Sequence, residues 1–226
     1  MMPMFSALRR SLVPGLVLQS CALIILIGYA WVPPVRTLLD SVGGLKTRYG
    51  YAYSALSTAL FGGFIPFVYL YVTKQLPKGL VLAELAFYLS FWLWKGVEVD
   101  ALYRVQSAVF GSHASPGTVA AKVCVDQFAY NPLWAAPLQV VLFLWKDAAF
   151  SWSGLRLQIE QESVGRRVGV ALFSTWMVWL PTAVVVYSLP SALQIPISNL
   201  VVCFWCLLVS FISRRGASAD HMYQAA

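Results

Sequence analysis

The chain has 226 residues, of which 59% are hydrophobic and only 11% are charged, and its net charge is +7. Soluble domains carry about 25% charged residues, so this composition excludes an ordinary soluble globule and indicates a protein whose solvent is the lipid bilayer. The lysines and arginines are scattered through short connections and form no basic block, which argues against a nucleic-acid partner.

Long apolar runs predict the fold class. A helix that crosses the hydrocarbon layer needs roughly 20 apolar residues. We therefore predict an all-α protein, a polytopic transmembrane helical bundle of five or six spans. The first run follows Arg9 and Arg10 and has no small-residue cleavage site after it, which predicts an uncleaved anchor. The runs cover, in chain order, about 12–34, 51–73, 79–96, 128–145, 168–188 and 196–213.

The second run contains "SALSTALFGG", residues 54–63, in which small residues recur every four positions in two registers. This spacing is typical of helices that approach each other closely. A pore-lining face is the alternative. The positions predicted to pack are Ala55, Ala59, Gly62 and Gly63.

The third run carries charge inside its apolar sequence. At about 100° per residue, Glu84, Tyr88, Lys95 and Glu98 share one face of a helix. An ionisable group within a span is a functional-site hypothesis by default, so the face is interpreted as part of a polar path. The alternative is that Lys95 and Glu98 extend to the lipid headgroups at the end of an ordinary span.

Beyond this run, residues 97–110 keep apolar side chains at helical spacing and predict an amphipathic extension of the third helix. Glu98 is expected to contact Lys95, and Arg104 to contact Asp100, because these pairs lie three and four residues apart. Residues 153–170 show a weaker amphipathic pattern, which is typical of a segment at the membrane interface.

The segment "KVCVDQFAYNPLWAAP", residues 122–137, leads into the fourth run. Lys122 and Asp126 lie one helical turn apart, and Gln127 follows directly. Pro132 should break or kink the helix and free backbone carbonyl groups, which at membrane depth need neighbours or a water-lined cavity. We predict that Asp126 faces Lys122 or a charge of the third helix. A salt-bridged helix start at the interface is the alternative.

Reaction motifs are missing from the sequence: it has no Gly-x-Ser-x-Gly, no His-Glu-x-x-His and no phosphate-binding glycine loop. Cys203 and Cys206 have redox or metal spacing, but a zinc site needs about four ligands and neither histidine is near them in sequence. They are interpreted as small packing residues, with a redox pair as the alternative. We predict no enzyme, no cofactor and no metal site.

Four elements in order resemble the peroxisomal membrane protein 22 kDa (Mpv-seventeen) family. They are Lys-x-x-x-Asp-Gln with a proline over 122–132, then Trp-Leu-Pro at 179–181, Leu-Pro at 189–190, and Trp205 with Ser210. The resemblance covers roughly 51–214. It implies a small polytopic protein of organelle membranes, proposed to form a permeation path for small solutes. Polar residues that the family carries after its Trp-Pro are replaced by "TAVVVY", so only Lys122, Asp126 and Gln127 are carried over.

With this resemblance, the chain divides into an anchor helix and connection over 1–50, a core membrane domain over 51–214 and a polar tail over 215–226. The expected location is a bacterial inner membrane, or a mitochondrial inner or peroxisomal membrane. The expected partners are the lipid bilayer and small solutes. Whether the chain forms a homo-oligomer is left open.

The predicted function is a channel or pore for small solutes. The alternatives are a proton-coupled secondary transporter and a non-transporting scaffold in membrane or organelle homeostasis. The residues predicted to form the polar path are Glu84, Lys95, Glu98, Lys122, Asp126 and Gln127.

Overall fold

The computed structural model describes residues 20–21, 23–77, 79–161 and 163–224, apart from the side chains of residues 174, 208, 209 and 211–224. Within this part of the chain all regular structure is helical and there is no strand, so the predicted all-α class is confirmed. The helices are α1 (Pro33–Thr58), π1 (Ala59–Phe64), α2 (Ile65–Val72), α3 (Val81–Phe110), α4 (Pro116–Val125), π2 (Asp126–Ala135), α5 (Ala136–Asp147), α6 (Trp152–Gln161), α7 (Val164–Tyr187) and α8 (Ser191–Gln224).

The connection expected between the first two apolar runs is helical, which corrects the interpretation of its charges as loop residues. Pro33 and Pro34 start α1, where a missing N–H costs nothing and the fixed φ suits a helix. Gly50 interrupts α1 with φ 54° and ψ −126°, a conformation that residues with a Cβ adopt rarely. The helix is therefore bent in its middle and continues through π1 and α2 to Val72.

By length and composition, one helix of the described residues could cross a membrane, the continuous stretch from Pro33 to Val72. Up to three could do so if each bent pair counts as one span. The bent pairs are 116–147 with 152–161, at 118°, and 164–173 with 175–187, at 45°. The finer prediction of five or six spans stays a prediction.

The long third helix is confirmed, because α3 continues without interruption to Phe110. It is not among the span candidates, since Glu84, Lys95 and Glu98 fall within its first eighteen residues. The amphipathic segment 153–170 is divided between α6 and α7. Ser163 begins α7, and its hydroxyl accepts a hydrogen bond from the backbone N–H of Arg166.

Two compact units make up the described chain. Unit I comprises residues 27–105 and 191–224, and its core lies where α1, α3 and α8 pack. Unit II comprises residues 20–26 and 106–190, and its core lies among α4, π2, α5, α6 and α7. The division predicted at residues 50 and 214 stays a prediction. Among the most deeply buried apolar side chains are Leu193, Ile195 and Ile197 in unit I and Leu144, Val178 and Val186 in unit II.

Candidate functional site: buried charged clusters

The charged face of α3 is covered by protein. Glu84, in the first turn of the helix, is 1% exposed. Lys95 is also buried, and its ammonium lies 2.9 Å from a carboxylate oxygen of Glu98 and 5.8 Å from the centre of the Trp94 ring. The predicted contact between Lys95 and Glu98 is therefore confirmed.

A second ionic cluster lies around Asp100. The ammonium of Lys46 donates to both carboxylate oxygens, at 2.9 and 2.8 Å. The Ser54 hydroxyl donates to one of them at 2.8 Å, and Arg104 Nε donates to the other at 3.1 Å. The contact between Asp100 and Arg104 was predicted. The contact with Lys46, which is 54 positions away in sequence, was not.

Asp100 lies beyond the predicted third span, and its surroundings fix its charge state. Burial alone would raise the pKa of the carboxyl group, but hydrogen bonds from Lys46, Arg104 and Ser54 outweigh burial and hold the pKa below its usual range. Asp100 is therefore a carboxylate, and two cations surround one anion. Arg104 is half exposed and stacks over the Tyr51 ring at 4.4 Å, while Lys46 and Asp100 are buried.

The bend in α1 lies at the level of this cluster. Lys46 and Ser54 are on either side of Gly50, and both reach the same carboxylate. The Ser54 hydroxyl also lies 3.3 Å from the carbonyl oxygen of Gly50. The bend and the ion cluster therefore form one local arrangement.

Neutral polar groups join α8 to the same core. The Thr58 hydroxyl donates to the Asn199 side-chain oxygen at 2.8 Å, and the Asn199 amide donates to Ser57 at 2.9 Å. The hydroxyls of Tyr103 and Ser198 lie 3.1 Å apart. None of these contacts was predicted, because each partner looks like an ordinary uncharged residue in its own helix.

Small residues bring the helices of unit I together. A Cβ built on Gly62 would lie 2.6 Å from the Trp92 ring, and one on Gly63 would lie 3.0 Å from the Tyr88 carbonyl oxygen. Ala55 and Ala59 are buried. Gly96 was not singled out in the sequence, yet it touches the Ser54 carbonyl group so closely that no Cβ fits.

In unit II, Asp126 begins π2 and is linked to α7. The Tyr187 hydroxyl donates to Asp126 Oδ2 at 2.8 Å, and Tyr187 is 2% exposed. Lys122, one turn earlier, donates to the Ser107 hydroxyl at 3.1 Å, and its ammonium lies 5.9 Å from the centre of the Tyr187 ring. Tyr187 therefore connects the two charged residues of the motif.

The third residue of the motif, Gln127, is also buried. Its backbone carbonyl accepts a hydrogen bond from Trp176 Nε1 at 2.9 Å, whereas its side-chain oxygen has no hydrogen-bond partner among the described residues. The expected break at Pro132 takes the form of the π-helix. Proline offers no N–H to the α-helical ladder, and such widened turns are frequent at functional sites.

The predicted polar-path residues thus fall into two groups. Glu84, Lys95 and Glu98 belong to unit I, and Lys122, Asp126 and Gln127 belong to unit II. Their union into one path stays a prediction. Over the described ranges, no group of histidine, cysteine, aspartate and glutamate side chains could hold a metal ion, and Cys203 and Cys206 are free thiols.

No family model, curated protein or solved structure matches the chain. The resemblance to the peroxisomal membrane protein 22 kDa family therefore depends on the four quoted elements and stays a prediction.

Proposed function

We propose that the protein is a polytopic integral membrane protein of five or six spans that provides a permeation path for small polar solutes. The observation that carries the proposal is the burial of ionisable side chains in a chain with so few charges. Glu84, Lys95 and Asp100 are buried in unit I, and Lys122 and Asp126 are buried in unit II.

A need for stability does not explain why these charged side chains are buried. A buried ion pair loses the hydration of both charges, and well-packed apolar residues of similar volume often stabilise a protein as well or better. Within membrane segments, buried charges are typically found along substrate and ion pathways. Polar side chains of both signs would pass polar solutes with weak charge selectivity.

The length of α3 and the burial of its charged side chains support its inclusion among the spans. Its 30 residues extend about 45 Å, at 1.5 Å per residue, which exceeds the roughly 30 Å of the hydrocarbon layer. A charged helix can cross lipid when its charges face protein, and Glu84 and Lys95 are both covered. The family resemblance adds an organelle membrane or a bacterial inner membrane as the location.

The test is solute flux through the purified protein in sealed liposomes. We compare Glu84→Gln and Asp126→Asn with Glu160→Gln, which changes an exposed carboxylate of α6. Flux above that of empty liposomes is expected. The two buried variants should shift the preference between small cations and anions by about threefold or more, since one charge near a low-dielectric path contributes on the order of 1 kcal/mol. The Glu160 variant should behave as wild type.

Proton coupling is the second candidate, and the contact between Tyr187 and Asp126 favours it. A hydroxyl that donates to a buried carboxylate is the kind of arrangement found in proton relays. The same liposomes with a pH gradient separate the two functions, since only a coupled transporter concentrates solute against its gradient. If folded protein shows no flux with or without a pH gradient, both the permeation path and the coupled transporter are contradicted. The non-transporting scaffold is then the remaining function.

A further inference from the structure

We propose that unit II holds a binding site for an anionic phospholipid, with the lipid phosphate at Arg166 and Arg167. This inference goes beyond solute permeation and needs only that the protein resides in a membrane. The site is a cavity of about 570 Å³ between the end of α5, the end of α6 and the start of α7. This volume lies within the range of about 300–1,000 Å³ that is usual for small-molecule sites.

The cavity has an apolar part and a polar part. Its apolar wall comes from α5 and from the second turn of α7, and it consists of Val140, Phe143, Leu144, Val170 and Ala171. Its polar rim comes from the ends of the three helices. The rim residues are Asp147, Gln161, Ser163, Arg166 and Arg167.

Charge at the rim favours an anion. Arg166 and Arg167 line the cavity together with one carboxylate, Asp147, which is paired with Lys146 at 2.7 Å. The lining therefore carries two cations and one anion, and Lys146 already neutralises that anion. The rim also includes the N-terminus of α7, a helix of 24 residues, where the helix dipole adds partial positive charge. A planar guanidinium suits phosphate oxygens, because it can donate two parallel hydrogen bonds.

The apolar wall selects an amphiphile over a free ion. Inorganic phosphate would occupy the rim and leave the apolar wall in contact with water, whereas an acyl chain would cover it. The place in the sequence agrees with a lipid. The cavity lies where the predicted fourth span ends and the fifth begins, and basic pockets between helix ends are a known site for anionic headgroups.

The test measures lipid binding and does not depend on flux. Purified protein in detergent is titrated with phosphatidylglycerol, phosphatidylcholine or inorganic phosphate, and bound lipid is counted by native mass spectrometry. Phosphatidylglycerol should bind at least tenfold more tightly than phosphatidylcholine. The double variant Arg166→Gln, Arg167→Gln should weaken phosphatidylglycerol binding roughly 30-fold, since each arginine near a headgroup contributes about 1 kcal/mol.

A matched control removes the same amount of charge elsewhere. Arg48→Gln with Arg156→Gln changes two exposed arginines outside the cavity, and it should leave the affinity within about threefold of wild type. A second variant, Val170→Trp, keeps both cavity arginines and fills the space. It should also weaken phosphatidylglycerol binding, with Tm measured alongside to show that the variant folds.

Three results would overturn the proposal. Equal affinity for the two lipids would show that charge does not select. Equal losses in the cavity and control double variants would show that net charge alone attracts the lipid. Displacement of phosphatidylglycerol by inorganic phosphate at similar concentration would assign the rim to a soluble anion. Each result can occur whether or not the protein conducts solutes.

Discussion

Asp100 receives hydrogen bonds from three side chains, two of which are positively charged. The contact with Arg104 could be predicted, because four positions on one helix bring side chains together whatever the rest of the fold does. The contact with Lys46 could not, since it depends on how α1 packs against α3. Lys46 falls within the part of 1–50 that the sequence predicts to be a connection, so no partner on the third helix is expected for it. The Pro33-Pro34 helix start was the available signal that this stretch is helical.

Lys46→Met tests how much the buried ion pair between Lys46 and Asp100 contributes to the free energy of unfolding. The variant keeps the length of the side chain but removes the charge that donates to both oxygens of Asp100. We expect the free energy of unfolding to fall by about 3–5 kcal/mol, because a buried carboxylate loses its main partner. The measurement is denaturant or thermal unfolding in detergent.

Two further variants test whether the loss of stability comes from the ion pair itself. Arg48→Met changes an exposed residue two positions along the same helix and should change the free energy of unfolding by at most about 0.5 kcal/mol. Adding Asp100→Asn to Lys46→Met should recover much of the loss, because the uncompensated charge is gone. A Lys46→Met protein as stable as wild type would show that Arg104 and Ser54 suffice for Asp100.

At the scale of helices, apolar length predicted most of what is found. The run over 51–73 lies within one continuous helix, and the third helix extends to Phe110 as its periodicity indicated. The sequence predicts a break or kink at Pro132, but it predicts neither the bend at Gly50 nor the π-helical form of π1 and π2. Proline and glycine mark where a helix can deviate, but packing partners decide whether it bends, widens or stops. The charges of Glu84, Lys95 and Glu98 were visible in sequence, whereas their coverage by protein was not.

Gly96→Ala tests how closely α3 approaches α1. A Cβ at this position has no room beside the Ser54 carbonyl group, which is backbone and cannot rotate away. Overpacking of this kind costs about 1–3 kcal/mol, and the Tm in detergent should fall accordingly. Gly44→Ala is the matched control. It lies in α1 with nothing near its Cβ, so alanine there should be neutral or stabilise by up to about 1 kcal/mol. Equal effects of the two changes would contradict the close approach.

For the whole molecule, the open question is how many of the helices cross the membrane, and the position of their connections answers it. With five or six spans, the turn around Pro77 and the connection around Ser153 lie on the same side, because the spans over 79–96 and 128–145 separate them. The connection around Ala114 lies on the opposite side. Among the described residues, composition identifies the helix from Pro33 to Val72 and the two bent pairs as span candidates. It leaves out α3, whose apolar sequence is interrupted by the charged residues Glu84, Lys95, Glu98, Asp100 and Arg104. The side of Ala114 therefore decides whether a charged helix crosses.

We predict that single cysteines at these three positions, in a protein whose four native cysteines are replaced, react with a membrane-impermeant thiol reagent in a sided manner. In sealed vesicles of one orientation, Pro77→Cys and Ser153→Cys should be labelled from one side and Ala114→Cys only from the other. All three should be labelled after the vesicles are opened, which controls for reactivity. Labelling of Pro77→Cys and Ala114→Cys from the same side would place α3 on the surface of the membrane, whichever side labels Ser153→Cys. Glu84 and Lys95 could then not line a path across the membrane, and the buried charges of unit I would no longer support the permeation proposal. Opposite labelling would mean that α3 carries its buried charges through the hydrocarbon layer, which an anchoring role alone does not require.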